Sequence, residues 1–458
     1  MQPDTTPQSN APLADDTPSA IPFREALAFW FKLGFVSFGG PAGQIALMHT
    51  ELVERRRWIS NKRFLHALNY CMVLPGPEAQ QLATYLGWLM HKTAGGVAAG
   101  ALFVLPSLLI MIGLSWIYIA LGDLPVVAGL FHGIKPAVTA IVVHAACRIG
   151  ARVLNNAALW TVSAASFIAI FALNIPFPVI IIGAALIGIA GARIAADTFR
   201  MGGVAHKDSA RHEAALIDDD TPTPEHARFT WIRLTRVLIA GALLWTIPIG
   251  FLCATLGWNH TLTQMSWFFT KAALLTFGGA YAVLPYVYQG AVEHYGWLSG
   301  PQMIDGLALG ETTPGPLIMV VAYVGFVGGY LKALFGPGAL LLAGTVAASL
   351  VTWFTFLPSF LFILGGGPLV ESAHNDLKFS APLSAITAAV VGVMVNLALF
   401  FGYHVLWPQG FNGHFDVLSA VLTIAASAAL FVYKRNVIHV ILACALVGLV
   451  AHLAQNAG

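Results

Sequence analysis

Thirteen runs of apolar residues, each near the ~20 positions that a helix needs to cross the hydrocarbon of a bilayer, alternate along the chain with polar gaps. Six of them, near residues 25–48, 66–90, 95–121, 125–147, 157–174 and 176–194, precede the one long polar stretch. Seven follow it, near 235–257, 264–289, 303–331, 337–364, 379–403, 415–433 and 436–454. The polar stretch, about 195–230, carries Asp218-Asp219-Asp220 and then Thr221-Pro222-Thr223-Pro224, a linker composition. The pattern predicts an all-α polytopic membrane protein of about 13 transmembrane helices. Its parts would be a disordered tail (1–24), a first half (25–194), a cytoplasmic linker (195–234) and a second half (235–458).

The two halves repeat one another. A shift of 239 residues lays Lys32 on Lys271, Phe38-Gly39-Gly40 on Phe277-Gly278-Gly279 and Glu54 on Glu293. The same shift matches Trp58 with Trp297, Ser60 with Ser299 and Pro75-Gly76-Pro77 with Pro314-Gly315-Pro316. Further on, after an insertion in the second copy, Leu105-Pro106-Ser107 matches Leu357-Pro358-Ser359. With thirteen spans, the Phe-Gly-Gly helix is the first in one half and the eighth overall in the other, so the two copies cross in opposite directions. The expected fold is an inverted repeat with broken helices.

Composition agrees. Of the 458 residues, 57% are hydrophobic and 10% charged, against roughly 25% charged in a soluble domain, which excludes a soluble globular protein. The N-terminal twenty residues hold Asp4, Asp15 and Asp16 and lack the basic start of a signal peptide. Cys71, Cys147, Cys253 and Cys444 are scattered without metal or redox spacing, so neither a disulfide framework nor a metal site is expected. No cofactor and no nucleic-acid partner is expected either.

Loop cations give the orientation. Fourteen Lys and Arg fall on the side of the N-terminus and six on the other, which predicts a cytoplasmic N-terminus. Five of the six (Arg55, Arg56, Arg57, Lys62, Arg63) crowd into one loop after the first span. That cluster would change sides if the glycine-broken spans were re-entrant hairpins rather than full crossings.

Gly and Pro at the centre of a span free backbone groups that hydrocarbon cannot satisfy, at several kcal/mol each, unless protein or a wet cavity supplies partners. Phe38-Gly39-Gly40-Pro41, Pro75-Gly76-Pro77, Phe277-Gly278-Gly279 and Pro314-Gly315-Pro316 are four such breaks at matched positions. A helix restarting there presents free N–H groups and about +0.5 charge, an anion site. One break alone would read as a packing kink; four in symmetric positions favour the site.

Lys32 and Lys271 lie two helical turns before the glycine pairs and are either ligand groups or lysines snorkelling to the headgroups. Lys135, ahead of Pro136, has no counterpart and reads as structural. Glu78 and Glu311 adjoin the Pro-Gly-Pro breaks and are proton-coupling candidates, or, for Glu78 especially, a helix-start carboxylate. Gln44, Gln80, Gln81, Tyr281, Thr312 and Thr313 stand beside the same breaks.

The runs Phe35-Val36-Ser37-Phe38-Gly39-Gly40-Pro41-Ala42-Gly43-Gln44, Leu74-Pro75-Gly76-Pro77-Glu78-Ala79-Gln80-Gln81, Thr276-Phe277-Gly278-Gly279-Ala280-Tyr281 and Glu311-Thr312-Thr313-Pro314-Gly315-Pro316 resemble the chromate ion transporter family, in its long two-domain form. The resemblance covers about 25–150 and 265–400. It implies a multi-pass protein of the bacterial inner membrane that exports chromate, driven by the proton gradient, and confers chromate resistance. Its partners would be a small tetrahedral oxyanion and the lipid bilayer, with room for a homodimer. Sulfate has the same shape and charge as chromate and stays open as substrate, as do uptake rather than export and an anion channel of similar build. The second half departs from the first where Leu317 replaces Glu78 and Val283 replaces Gln44, so the halves should contribute unequally to one site. A membrane enzyme would need a nucleophile–base set or a metal cluster, and the sequence offers none.

Overall fold

The computed structural model describes residues 21–38, 40–122, 124–194, 215–218, 221, 224–372 and 380–457. The expectations for the tail at 1–20, for Gly39 and for most of the linker lie outside the described residues. Sixteen α-helices succeed one another among the described residues. The first half holds α1 (Phe23–Val36), α2 (Gly40–His49), α3 (Asn61–Val73), α4 (Glu78–Leu121), α5 (Pro125–Val153), α6 (Ala157–Phe171) and α7 (Phe177–Ile194). Then come α8 (Trp231–Leu256), α9 (Thr261–Leu274), α10 (Ala280–Tyr288), α11 (Gly300–Thr312), α12 (Val320–Leu331), α13 (Leu340–Ser372), α14 (Ser380–Leu406), α15 (Val417–Phe431) and α16 (Val437–Ala457).

The glycine and proline breaks turn the chain back rather than kink a crossing helix. α1 descends to Val36 and α2 climbs again, because Arg56, past the end of α2, lies 3.5 Å from Glu25 and stacks on Phe29 at the start of α1. Around Pro75-Gly76-Pro77 the rings of Tyr70 and Tyr85 meet at 5.9 Å. Around Gly278-Gly279, Phe268 stacks on Tyr286 at 4.7 Å. Around Pro314-Gly315-Pro316, Gly306 lets the Tyr323 ring pack directly on its backbone. All four are helical hairpins whose limbs fold back on each other. The basic loop 55–63 therefore lies on the same face as the start of α1, and His91 completes that face by reaching the Ile21 carbonyl at 2.9 Å.

α4 also changes direction. At Lys92 the backbone enters the left-handed region (φ 58°), and the limb after it runs back along the limb before it. Gly87 meets Gly95 and Ala99, Gly96 meets Trp88, and Gly100 meets Thr84. Small residues at these crossings let two helix backbones touch, which is how helices pack where lipid removes the hydrophobic drive.

Six helices (α4, α5, α8, α13, α14 and α16) are long and apolar enough to cross a membrane. Shorter apolar helices accompany them: α6, α7, α15 and the segment Leu317–Leu331 that ends in α12. α6 and α15 are both 15 residues long, and α7 and α16 follow them after equivalent short turns, which carries the repeat past the reach of the glycine motifs. The halves exchange their long helices: α5 packs on α15 and α16 of the second half, while α14 packs on α6 and α7 of the first. α8 has no counterpart. It is the one extra pass between the copies, so the second pair of hairpins enters from the opposite face. There Tyr288 meets Phe400 at 4.3 Å and Gly300 lies against the same ring.

The described part of the linker is tied to the N-terminal face. Backbone bonds join Ser60 to Ile217 (3.0 Å) and Leu216 to Arg57 (3.0 Å), and His226 Nε2 lies 2.9 Å from the Trp88 carbonyl. Burial keeps the His226 imidazole below its ordinary pKa of 6.5, so it is neutral there near pH 7. Beneath the linker, Arg63 bonds Glu371 at the end of α13 (3.0 Å) and the Thr221 carbonyl (2.8 Å), and Tyr85 donates to Glu371. This pair clamps the first half to the second. Removing one partner of a buried ion pair leaves the other charge uncompensated, at about 3–5 kcal/mol. Glu371→Ala should therefore lower the thermal unfolding midpoint of the detergent-solubilised protein clearly, whereas Glu54→Ala, at an exposed position, should leave it in place.

Candidate functional site

The four hairpin tips converge. Gly76 N–H donates to the Thr276 carbonyl at 2.7 Å, and Gly315 N–H donates to the Ser37 carbonyl at 2.8 Å. Under the shift of 239, Gly76 corresponds to Gly315 and Ser37 to Thr276, so the two bonds are images of one another about a pseudo-twofold axis. Each bond joins a Pro-Gly-Pro tip of one half to a Phe-Gly-Gly tip of the other. Ser37 and Thr276 return their hydroxyls to carbonyls one turn back, Leu33 (2.6 Å) and Ala272 (2.7 Å).

The proline-flanked glycines cannot be replaced quietly. Gly76 (φ 130°) and Gly315 (φ 99°) both hold conformations that L side chains avoid. A Cβ on Gly76 would come within 2.5 Å of Ser359 Oγ, and one on Gly315 within 2.6 Å of Ser107 Cβ. Thus the Leu-Pro-Ser triplets, visible in the sequence only as part of the repeat, back the opposite half's tip.

The helices that restart at the tips do so without side-chain caps. Pro77 before α4, Gly279 before α10 and Pro316 before the short turn leading into α12 supply none. At the membrane faces Ser60, Asn156, Ser299 and Asp416 cap α3, α6, α11 and α15, while α1, α5 and α8 start without a side-chain cap. The uncapped starts at the tips leave first-turn N–H groups aimed into the centre of the protein, the donor arrangement that suits an anion.

Polar side chains surround the tips unequally. From the first half come Gln44, which donates to the carbonyls of Gly315 and Ser37, Gln81, which bonds the Pro75 carbonyl at 2.8 Å, and Gln80, which reaches Thr84 at 3.0 Å. Each of the three keeps one buried side-chain oxygen with no bonding partner. The Glu78 carboxylate lies 3.8 Å from where a Cβ on Gly279 would sit. From the second half, Tyr281 donates to Glu311, and Thr313 is buried beside Met111. Glu78, Glu311 and Thr312 are partly exposed, while Pro77, Pro314 and Pro316 are buried.

Other candidates are placed differently. Lys32 is exposed on α1, Lys271 lies over the Trp267 ring at 5.6 Å, Phe38 is exposed and Phe277 packs into the core. Gly40 (φ 69°) opens α2 with free space around it. From the end of α5, Arg152 acts electrostatically on Glu78, and Arg148 on Glu311 and Tyr281. Both are exposed near the end of α5. The sequence had counted them among loop charges, because nothing in the chain shows that the end of α5 overhangs the tips. Thr387 of α14, 3.4 Å from a Cβ on Gly278, also went unnoticed. Among the described residues no group of His, Cys, Asp and Glu could hold a metal ion.

Helical hairpins meeting in an inverted repeat, with buried polar groups around their tips, make this a polytopic membrane protein with the build of a transporter. The chain belongs to the chromate transporter family, whose model (Chromate transporter) matches residues 24–189 and 263–449. It is 32% identical over 449 residues to the chromate transport protein of Pseudomonas aeruginosa, covering 95% of this chain and 94% of that one. To the chromate transport protein of Cupriavidus metallidurans it is 27% identical over 453 residues, with 97% and 98% covered. An uncharacterized transporter of Bacillus subtilis matches only 30% of this chain, at 30% identity over 135 residues, but 68% of its own length. No solved structure matches.

Proposed function

We propose that the protein carries chromate out of the cytoplasm across the bacterial inner membrane in exchange for protons, binding the dianion between the four hairpin tips. The observation that carries this reading is the pseudo-symmetric pair of tip bonds, Gly76 to Thr276 and Gly315 to Ser37, which holds uncapped helix starts around one central point. Those starts supply donors, Gln80 has one amide hydrogen left after its bond to Thr84, and Arg148 and Arg152 supply positive charge. Partial exposure of Glu78, Glu311 and Thr312 beside these exposed arginines indicates access from the N-terminal face. With the basic loop 55–63 returned to that face, Lys332 is the one loop cation left on the other among the described residues, and the positive-inside rule makes the N-terminal face cytoplasmic.

Purified protein in liposomes tests the reading. Labelled chromate should accumulate against its gradient when a pH difference is imposed, and stop when an uncoupler collapses that difference. Sulfate should compete, being a tetrahedral dianion as well; sulfate accumulation without chromate transport would reassign the substrate. Fast flux in both directions, indifferent to the pH difference, would make the protein a channel.

A further inference from the structure

On the face opposite the N-terminus, the end of α4, the beginning of α5, the beginning of α11 and the end of α16 enclose a cavity of about 500 Å³. Its lining includes Tyr118, His132, Lys135, Gln302, Asp305 and His452. Asp305 is buried, with a side-chain exposure of 4%, and lies 3.4 Å from the Lys135 ammonium, whose side chain is 31% exposed. Tyr118 donates to the same carboxylate oxygen at 2.8 Å, and the other oxygen has no partner. Behind them the buried hydroxyl of Tyr323 on α12 is also without one. His132 is held by Asp416 at 3.4 Å.

The cavity is joined to the hairpin tips by the helices themselves. Asp305 precedes Thr312 on α11 by seven residues, and Tyr118 follows Met111 on α4 by seven; at 1.5 Å per residue both distances are about 10 Å. Thr312 borders a tip and Met111 touches Thr313. The cavity thus begins two helical turns from the tips, with Lys135 in its wall.

We infer that this cavity is a second, outer oxyanion subsite in which Lys135 exchanges its bond to Asp305 for one to the departing dianion. The inference rests on the transport reading above. What the cavity offers its contents is the Lys135 ammonium, the His452 imidazole and the Gln302 amide, all able to donate, whereas its one lining carboxylate is buried behind Lys135. A lysine with no internal partner would hold a dianion too firmly to release it; one already paired gives it up when Asp305 recaptures the ammonium. Sites on a conduction path need such weak, exchangeable binding. Tyr118 keeps Asp305 bonded while Lys135 is away.

Chromate uptake into right-side-out and inverted vesicles of cells expressing the full chain measures half-saturation from each face. Lys135→Gln should raise it at least about tenfold from the cavity face, the loss of one charged hydrogen bond, and leave it unchanged from the other. Asp305→Asn, which frees the ammonium, should lower it about tenfold from the cavity face and slow turnover. Lys135→Arg should behave as the native protein. No change, or equal change from both faces, in Lys135→Gln overturns the subsite while leaving the transport reading intact. A native protein that moves no chromate defeats the transport reading. In that event chromate protection of Ile119→Cys, in the cavity wall, from an anionic thiol reagent still decides the subsite: protection upholds it and its absence removes it.

Discussion

Gly279→Leu is expected to abolish transport, by a hundredfold or more, with membrane insertion and abundance unchanged. A hundredfold loss needs only about 2.8 kcal/mol of lost binding. Gly279 sits at φ 95°, ahead of the uncapped start of α10, and the Glu78 carboxylate faces it at 3.8 Å from the site of a Cβ. Leucine there would fill the gap between the two tips and cover the N–H groups of α10. Gly279→Ala separates the two causes of damage: its Cβ fits the space, so alanine brings only the backbone penalty of this glycine-favouring conformation (φ 95°, ψ 174°), roughly 1–3 kcal/mol. It should keep measurable chromate transport. Gly40→Leu is the second control, because Gly40 has a positive φ but open surroundings, and it should resemble the alanine variant. Liposome uptake normalised to reconstituted protein checks all three, and a Gly279→Leu protein with more than a tenth of native uptake would show that the gap is not the site.

The inverted repeat was legible because parity survives a mistake in counting. Read as crossings, runs 25–48 and 66–90 each add one pass; folded back as hairpins, they add none, and the number of passes between the two copies stays odd. The sequence could not decide between these alternatives, since Gly-Gly and Pro-Gly-Pro interrupt a helix without saying which way the chain leaves. The cluster Arg55, Arg56, Arg57, Lys62 and Arg63 was the clue: five cations in the wrong loop signal that the loop is on the other face. The positions of the helix breaks were legible too, because glycine and proline side by side interrupt a helix and the repeat shows the interruptions in matched pairs. The cations were not. Lys32 and Lys271 drew attention by matching under the shift, whereas Arg148 and Arg152, which act electrostatically on Glu311 and Glu78, come from the end of α5, far away in the chain. That is long-range information. The partner of Lys135, Asp305, is likewise hidden from the sequence, being 170 residues away in the chain.

Glu311→Gln should separate transport from the proton gradient. A dianion arriving beside Glu78 and Glu311 is repelled by their charge unless protons arrive with it, and by reciprocity whatever binds protons there then favours the anion. Glu311 is the better carrier of the two, because Tyr281 donates to it and keeps its orientation whether or not the proton is present. Glutamine preserves that bond and removes the titratable group. Chromate should still bind and exchange between the two faces, but uphill accumulation driven by a pH difference should fall at least about tenfold, the cost of a single lost charge-coupled step being roughly 1.4 kcal/mol or more. Glu78→Gln is the matching test for the first half, where Leu317 shows that the second copy manages without a carboxylate at this position. Accumulation that persists in both variants would move the coupling away from the tips, and accumulation lost only in Glu78→Gln would assign it to the half-helix start next to Gly279.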